Sequence, residues 1–291
     1  MIKKIDKILI TGSKGFIGSN LKKELNNKYN LICTTRSELN CSNYNEVKKF
    51  IYELKPDFII HLASTTNNQI KITKKNIYDQ YQDTYLSSIN IAKTVDRNCK
   101  LVIFFGSIEE YGLNKTPLTE RLIPNPITEY GKAKFKAHME IKKILENKNV
   151  NYTWLRPSLT YGPFDYNNRY LNKIIESIKQ KKNLSLRPGN QIRDFLYVKD
   201  LIKVLESILN NPFLKYGILN VSPASKIYLN KIPNLISKFV NYQNTIKILP
   251  RIEKEYDLYM SNQKLIKFFP NLKFTPFDVG LKETLLFHDL I

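Results

Sequence analysis

Only three cysteines occur in the 291 residues, Cys33, Cys41 and Cys99, and none of them stands in C-x-x-C spacing. That scarcity argues against a disulfide framework and a cysteine-based metal site, and Cys33, in an apolar strand-like stretch, reads as a reduced, buried thiol. No metal is expected. Long apolar runs are missing too, since nothing approaches the roughly 20 residues that a membrane span requires. Met1-Ile2-Lys3-Lys4 leads straight into a strand-like run rather than a signal-peptide core, so a cytoplasmic protein with no membrane partner is expected. Internal repeats and low-complexity linkers are absent as well, so any two parts of the chain should share an interface rather than a tether.

Positive charge, by contrast, is plentiful, with a net +20 at pH 7. The lysines are spread along the whole chain among Asn and Ile, and no block of like charge forms a tail or stripe. Nucleic acid is therefore not an expected partner. A basic surface would still draw in an anionic small substrate such as a nucleotide diphosphate. Hydrophobic residues make up 42% of the chain, enough for one large core or two cores sharing an interface.

The first half alternates short apolar runs with amphipathic segments, the rhythm of a parallel sheet covered by helices on both faces. Five runs read as strands: Lys7-Ile8-Leu9-Ile10-Thr11, Leu31-Ile32-Cys33-Thr34, Phe58-Ile59-Ile60-His61-Leu62-Ala63, Leu101-Val102-Ile103-Phe104-Phe105 and Tyr152-Thr153-Trp154-Leu155-Arg156. The segments near 16–28, 43–55, 77–98 and 128–148 read as crossover helices, and right-handed crossovers give a doubly wound α/β (Rossmann) fold. After Pro157 prolines interrupt shorter helical pieces. The expected division is a dinucleotide-binding domain of residues 1–157 with 198–224, and a smaller C-terminal substrate domain of 158–197 with 225–291.

Thr11-Gly12-Ser13-Lys14-Gly15-Phe16-Ile17-Gly18 follows the first strand and opens the first helix. In that context Gly12 permits the turn, Gly15 admits a pyrophosphate to the backbone, and Gly18 lets helix pack on strand. Further motifs follow in order: Pro56-Asp57-Phe58-Ile59-Ile60-His61-Leu62-Ala63, Phe105-Gly106-Ser107-Ile108-Glu109-Glu110-Tyr111-Gly112, Tyr130-Gly131-Lys132-Ala133-Lys134, Leu155-Arg156-Pro157-Ser158-Leu159-Thr160-Tyr161-Gly162-Pro163 and Gln191-Ile192-Arg193-Asp194-Phe195. Together they resemble the extended short-chain dehydrogenase/reductase superfamily, in its nucleotide-sugar reductase and epimerase branch.

Tyr-x-x-x-Lys occurs three times, at Tyr44/Lys48, Tyr111/Lys115 and Tyr130/Lys134, so the pattern alone selects nothing. Position selects Tyr130, which opens the helix between the strand before Ser107 and the strand that ends at Pro157. Residues four apart share a helix face, so the Lys134 ammonium should favour the Tyr130 phenolate and lower its pKa. The resemblance implies Tyr130 as general acid/base, Lys134 as its electrostatic partner and ribose binder, and Ser107 as donor to the reacting oxygen. In the family's 4,6-dehydratases an aspartate and a glutamate follow the catalytic hydroxyl residue. Here Ile108 replaces that aspartate while Glu109 stands in the glutamate's place, so dehydration is disfavoured and Glu109 reads as a helper acid or a structural carboxylate.

The second strand runs into Thr34-Thr35-Arg36, where NAD binders usually carry an acid. A guanidinium suits a 2′-phosphate, and Lys14 can add a second positive charge, which favours NADP(H) over NAD(H). The alternative is a solvated Arg36 with Glu38 on the ribose. By resemblance Asn40 meets the adenine, Ala63, Pro157 and Ser158 line the nicotinamide side, and Leu62 with the glycine-loop residues Phe16 and Ile17 also belongs to the cofactor site. The resemblance also places Arg193 and Arg251 on the diphosphate of a nucleotide-sugar substrate, with Asn168 nearby, Asp194 orienting the chain and Leu184-Ser185-Leu186 flanking the base.

The implied activity is NADPH-dependent reduction of a nucleotide-activated 4-keto-6-deoxy sugar. A nucleotide-sugar epimerase that keeps its NAD and a non-catalytic NADP-binding protein are the alternatives. Tyr78, Tyr81, Tyr85 and Ile89 form an apolar-leaning stripe at helical spacing, which reads as core, while the resemblance implies a homodimer through this helix and the Tyr130 helix.

Overall fold

A computed structural model describes residues 6–64, 74–166, 169–186, 190–240, 246–248 and 256–291, with backbone alone at 74–81, 184, 186 and 246–248. The first half runs β1 (Lys7–Thr11), α1 (Phe16–Leu25), β2 (Asn30–Thr34), α2 (Tyr44–Leu54), β3 (Phe58–His61), α3 (Lys74–Thr94), β4 (Leu101–Phe105), a 3-10 turn (Ile108–Glu110), α4 (Glu129–Lys148) and β5 (Tyr152–Pro157). The five expected strands are all present. A sixth, β10 (Gly217–Val221), joins them in one wholly parallel sheet of order β10-β5-β4-β3-β1-β2.

Alternation along these strands fills both faces of the sheet. Ile8, Ile10, Phe58, Ile60, Leu101 and Ile103 face a core with Leu21 and Leu25 of α1 and the apolar side of α6 (Val198–Leu209). Leu9, Ile59, Val102 and Phe104 face the opposite core, closed by α2, α3 and α4 through Val47, Ile51, Ile89, Ala137 and Ile141. Asn43 caps α2 by accepting from the amides of Asn45 and Glu46, and Lys55 ends it in the left-handed region at φ 48°.

Beyond β5 the chain crosses at Pro157 and Ser158 into a second core. Its elements are β6 (Leu159–Tyr161), α5 (Tyr170–Lys179), β7 (Leu184–Leu186), β8 (Ile192–Arg193), β9 (Phe195–Tyr197), β11 (Ile227–Tyr228), α7 (Ile232–Ser237), β12 (Ile246–Ile248) and α9 (Phe277–Phe287), while α8 (Gln263–Phe268) returns to the first core through Leu265 and Phe268. Three two-stranded pairings, β6 with β9, β7 with β12 and β8 with β11, replace the long sheet. Tyr161, Ile174, Ile175, Tyr197, Ile232 and Leu281 pack at its centre. No helix among the described residues is long and apolar enough to cross a membrane.

Register aligns Thr11 with both Thr34 and His61, so the segments that leave β1, β2 and β3 emerge side by side. The glycine loop, Thr35-Arg36, Leu62-Ala63, Ser107 and Ser158 thus all follow the carboxyl ends of parallel strands, where open α/β sheets form their crevices.

Candidate active site

The glycine loop is shaped by contact. Gly12 sits at φ +71°, and a Cβ there would meet the Ala63 nitrogen at 2.8 Å, while one on Gly18 would meet the Gly12 oxygen at 2.7 Å. A Cβ on Gly15 would touch only the Gly12 oxygen, at 3.2 Å, so its outer side is open. Gly15 precedes the first residue of α1, where no side chain caps the free amides, and the helix start therefore presents donors and positive dipole to an anion. Lys14 is exposed beside it, whereas Phe16 leans on the second core and Ile17 on the first.

A cleft of about 210 Å³ opens next to this loop, lined by Gly12, Gly15, Arg36, Asn40, Ala63 and Asp83 among others. The Arg36 guanidinium pairs with Asp83 of α3 through Nη1–Oδ2 at 2.7 Å and Nη2–Oδ1 at 3.3 Å. Glu38 turns back instead: its carboxylate accepts from the Thr35 amide at 2.8 Å and the Thr35 hydroxyl at 2.7 Å, which holds its pKa below the usual range. Arg36, not Glu38, therefore faces the cleft. The Asn40 side chain accepts from the Ser42 amide at 3.2 Å and helps shape the far wall. A glycine cradle that any Cβ would fill, an uncapped helix start and an adjoining cleft fit a dinucleotide.

The catalytic candidates are brought together by buried polar chemistry. Glu110, fully buried, accepts from Trp154 Nε1 at 3.0 Å, from Arg156 Nε at 2.9 Å and Nη2 at 2.7 Å, and from the Ser107 amide at 2.9 Å. Ser107 is thereby fixed at the end of β4, with its hydroxyl accepting from the Glu109 amide at 3.2 Å. Thr128 caps α4: its hydroxyl accepts from the Gly131 amide at 3.0 Å and donates to the Glu109 carboxylate at 2.6 Å. That pair carries Glu109 to the helix start where Tyr130 stands.

Tyr130 is half-buried, and the nearby Ser64 hydroxyl, which acts to lower the pKa of its phenol, lies 3.1 Å from Thr84 Oγ1. Lys134 is buried, with its Nζ 5.6 Å from the Tyr130 ring centroid. Burial lowers the Lys134 pKa to about 8, opposed by the Glu110 carboxylate. The sequence leads one to expect a depressed Tyr130 phenol, but its pKa is raised, first by burial and then by the Glu109 carboxylate. The ammonium stands near the ring, and desolvation outweighs it. His61 stays neutral, since burial and then Lys134 push its pKa down to about 3, and its Nδ1 lies 2.8 Å from Thr11 Oγ1.

The other Tyr-x-x-x-Lys tyrosines are occupied elsewhere. Tyr111 is buried and donates to Asn220 Oδ1 at 2.7 Å, and Tyr44 is 42% exposed at the start of α2. Ser158 is buried, and its hydroxyl has no hydrogen-bond partner among the described residues; Pro157 ends β5 beside it. On the far side, Arg193 Nη1 donates to the carbonyls of Ile192 at 2.9 Å and Tyr256 at 2.8 Å. Asp194 accepts from the Ser222 hydroxyl, the Ser225 amide and hydroxyl and the Met260 amide, while burial raises its pKa to about 6. Asn168 and Arg251 lie outside the described residues. On α3, Tyr85 donates to Glu140 of α4, and Ile89 is buried in the core.

Sequence reading passed over Asp83, Ser64 and Thr128. Thr128 carried a signal, as a hydroxyl residue directly before a helix. Asp83 and Ser64 carried none, because Asp83 meets Arg36 across 47 positions and Ser64 comes near Tyr130 across 66.

The NAD dependent epimerase/dehydratase family model matches residues 8–222, the span that holds the glycine loop, the cleft and the Tyr130 helix. The chain belongs to that family. A GDP-6-deoxy-D-talose 4-dehydrogenase from Aggregatibacter actinomycetemcomitans is 26% identical over 249 residues, 83% of this chain and 82% of that protein. A UDP-glucose 4-epimerase from Thermotoga maritima, solved with UDP-glucose, matches the fold with a TM-score of 0.86 at 19% identity over 97% of this chain and 98% of that one. A GDP-L-fucose synthetase from Naegleria fowleri, solved with NADP, matches with 0.84 at 18% identity over 99% and 95%. Members of the family are NAD(P)-dependent enzymes of nucleotide-sugar chemistry.

Proposed function

We propose that this chain reduces a nucleotide-activated 4-keto-6-deoxy sugar with NADPH. The observation that carries the reading is Arg36: its guanidinium stands in the wall of the cleft beside the glycine loop, where a 2′-phosphate would meet a planar, bidentate cation. Lys14 stands exposed nearby to add charge. The glycine loop with the α1 amides would hold the pyrophosphate, and Lys134 the nicotinamide ribose. A nicotinamide cofactor, when bound, supplies the hydride.

The chain's own residues supply proton and orientation. Burial and the neighbouring Glu109 carboxylate keep the Tyr130 phenol protonated, the form that gives a proton to a carbonyl oxygen as it becomes an alcohol. Ser107, fixed by the Glu110 scaffold, would donate to the same oxygen and hold the keto group in line. Residues 1–157 with 198–224 serve as the cofactor side and 158–197 with 225–291 as the sugar-nucleotide side, where Arg193, Asn168 and Arg251 would grip the diphosphate. A homodimer through α3 and α4 is part of the reading, with Met139 of α4 44% exposed.

Purified protein given NADPH and a nucleotide-linked 4-keto-6-deoxy sugar should consume the reductant stoichiometrically with alcohol formed. Tyr130→Phe should cut turnover by roughly two to four orders of magnitude with cofactor binding nearly unchanged, and Tyr44→Phe should leave it near normal. Turnover without net loss of reductant, by protein that retains NAD through purification, would put a nucleotide-sugar epimerase in its place.

A further inference from the structure

Arg36 does not offer its charge freely. Both terminal nitrogens meet Asp83, at 2.7 and 3.3 Å, and Ser42 Oγ donates to Asp83 Oδ1 at 3.0 Å. The Asp83 side chain is 22% exposed against 66% for Arg36, so the carboxylate is the more enclosed partner and cannot simply swing into bulk water. It lines the same cleft as Gly12 and Gly15, on the side of α3 that faces the end of β2. To an arriving nucleotide the wall therefore presents a closed cation–anion pair. An anion that engages Arg36 meets a cation already half-neutralised by a carboxylate, and that carboxylate stays close to the new negative charge.

We propose that Asp83 is a cofactor-discriminating residue, which holds Arg36 in a bidentate pair and competes with a 2′-phosphate for it. The proposal rests on the reading of Arg36 as the 2′-phosphate partner. Asp83 selects by repulsion where Arg36 selects by attraction, since a phosphorylated ribose brings its charge beside the carboxylate and an unphosphorylated one does not. The chain thus binds NADP(H) less tightly than its basic residues alone would allow. A carboxylate can also favour NAD(H) by a different route, by accepting hydrogen bonds from its ribose hydroxyls. The two roles differ in which cofactor responds when the charge is removed.

The experiment titrates wild type, Asp83→Asn, Asp83→Ser and Arg36→Ala with NADPH and with NADH, reading the fluorescence of the bound nicotinamide. Thermal melts accompany each variant to establish that it is folded. Loss of the Asp83 charge should tighten NADPH binding roughly five- to tenfold, the fold-change of a partly exposed charge contact, and leave NADH within about twofold. Both Asp83 variants should agree, since the effect belongs to the charge. Unchanged NADPH affinity in both, with Arg36→Ala still weakening NADPH, overturns the role of Asp83 and leaves the Arg36 reading standing. A selective loss of NADH affinity overturns it in favour of a ribose-hydroxyl acceptor. Arg36→Ala that binds NADPH as wild type does overturns both readings together.

Discussion

At the scale of single residues, burial decides protonation. The Tyr130 phenol is raised by desolvation and by Glu109, so it remains a donor across the neutral range. Lys134 is the group that titrates nearby, its pKa lowered to about 8. As the pH rises through that value the ammonium is lost, and with it the charge proposed to hold the ribose and face the phenol. The kcat/KM of the proposed reduction should therefore fall with an alkaline limb near pH 8. Lys134→Arg keeps its charge throughout, so it should move that limb upward even at a lower rate. A limb that stays in place in the arginine variant would assign it to another group. The nearness of Lys134 to Tyr130 was legible in the helical spacing of four, but the choice of this pair over Tyr44 and Tyr111 came from its position in the order of elements and the resemblance. Their protonation states were not legible, because desolvation depends on neighbours from other elements.

At the scale of elements, α4 is positioned by its first turn. Thr128 caps it and Glu109 receives the Thr128 hydroxyl, while a Cβ on Gly131 would meet the Glu109 carbonyl oxygen at 2.6 Å and its carbon at 3.0 Å. Both atoms are backbone and cannot swing aside. Elsewhere in a helix Gly→Ala is favourable by up to about 1 kcal/mol, but here it should be unfavourable by about 1–3 kcal/mol through overpacking. A thermal melt reads the sign directly, and a higher Tm for Gly131→Ala would contradict the close approach. Long, fully buried parallel strands were legible because they appear as continuous apolar runs. β10 escaped notice: Asn220 interrupts its run, and that side chain is buried to accept from Tyr111 and to donate to the Leu118 carbonyl. The two- and three-residue strands β6, β8, β9 and β11 are too short for an alternating pattern to declare itself.

At the scale of the whole molecule, one long parallel sheet presents the glycine loop and Tyr130, and the shorter pairings beyond Pro157 hold Arg193. Arg193 Nη1 also ties β8 to the Tyr256 carbonyl, so the residue holds its own surroundings. Arg193→Ala should weaken sugar-nucleotide binding by about 1.5–3 kcal/mol, and Arg193→Lys should recover only part of that because the planar fork is lost. Calorimetry should find NADPH affinity nearly constant in both, and a parallel loss of NADPH binding would point to a general collapse of the segment. Ile108, finally, is 2% exposed and packs with Tyr111, Leu118 and Met260. An aspartate there, the residue that the family's dehydratases use, would bury an unpaired charge among apolar side chains, a penalty of several kcal/mol. Seen as a route through sequence space, an acid at position 108 is barred to a single substitution. The apolar pocket beneath the site would have to be rebuilt before the acid could be tolerated, so the packing of four hydrophobic residues constrains which chemistries the lineage can reach.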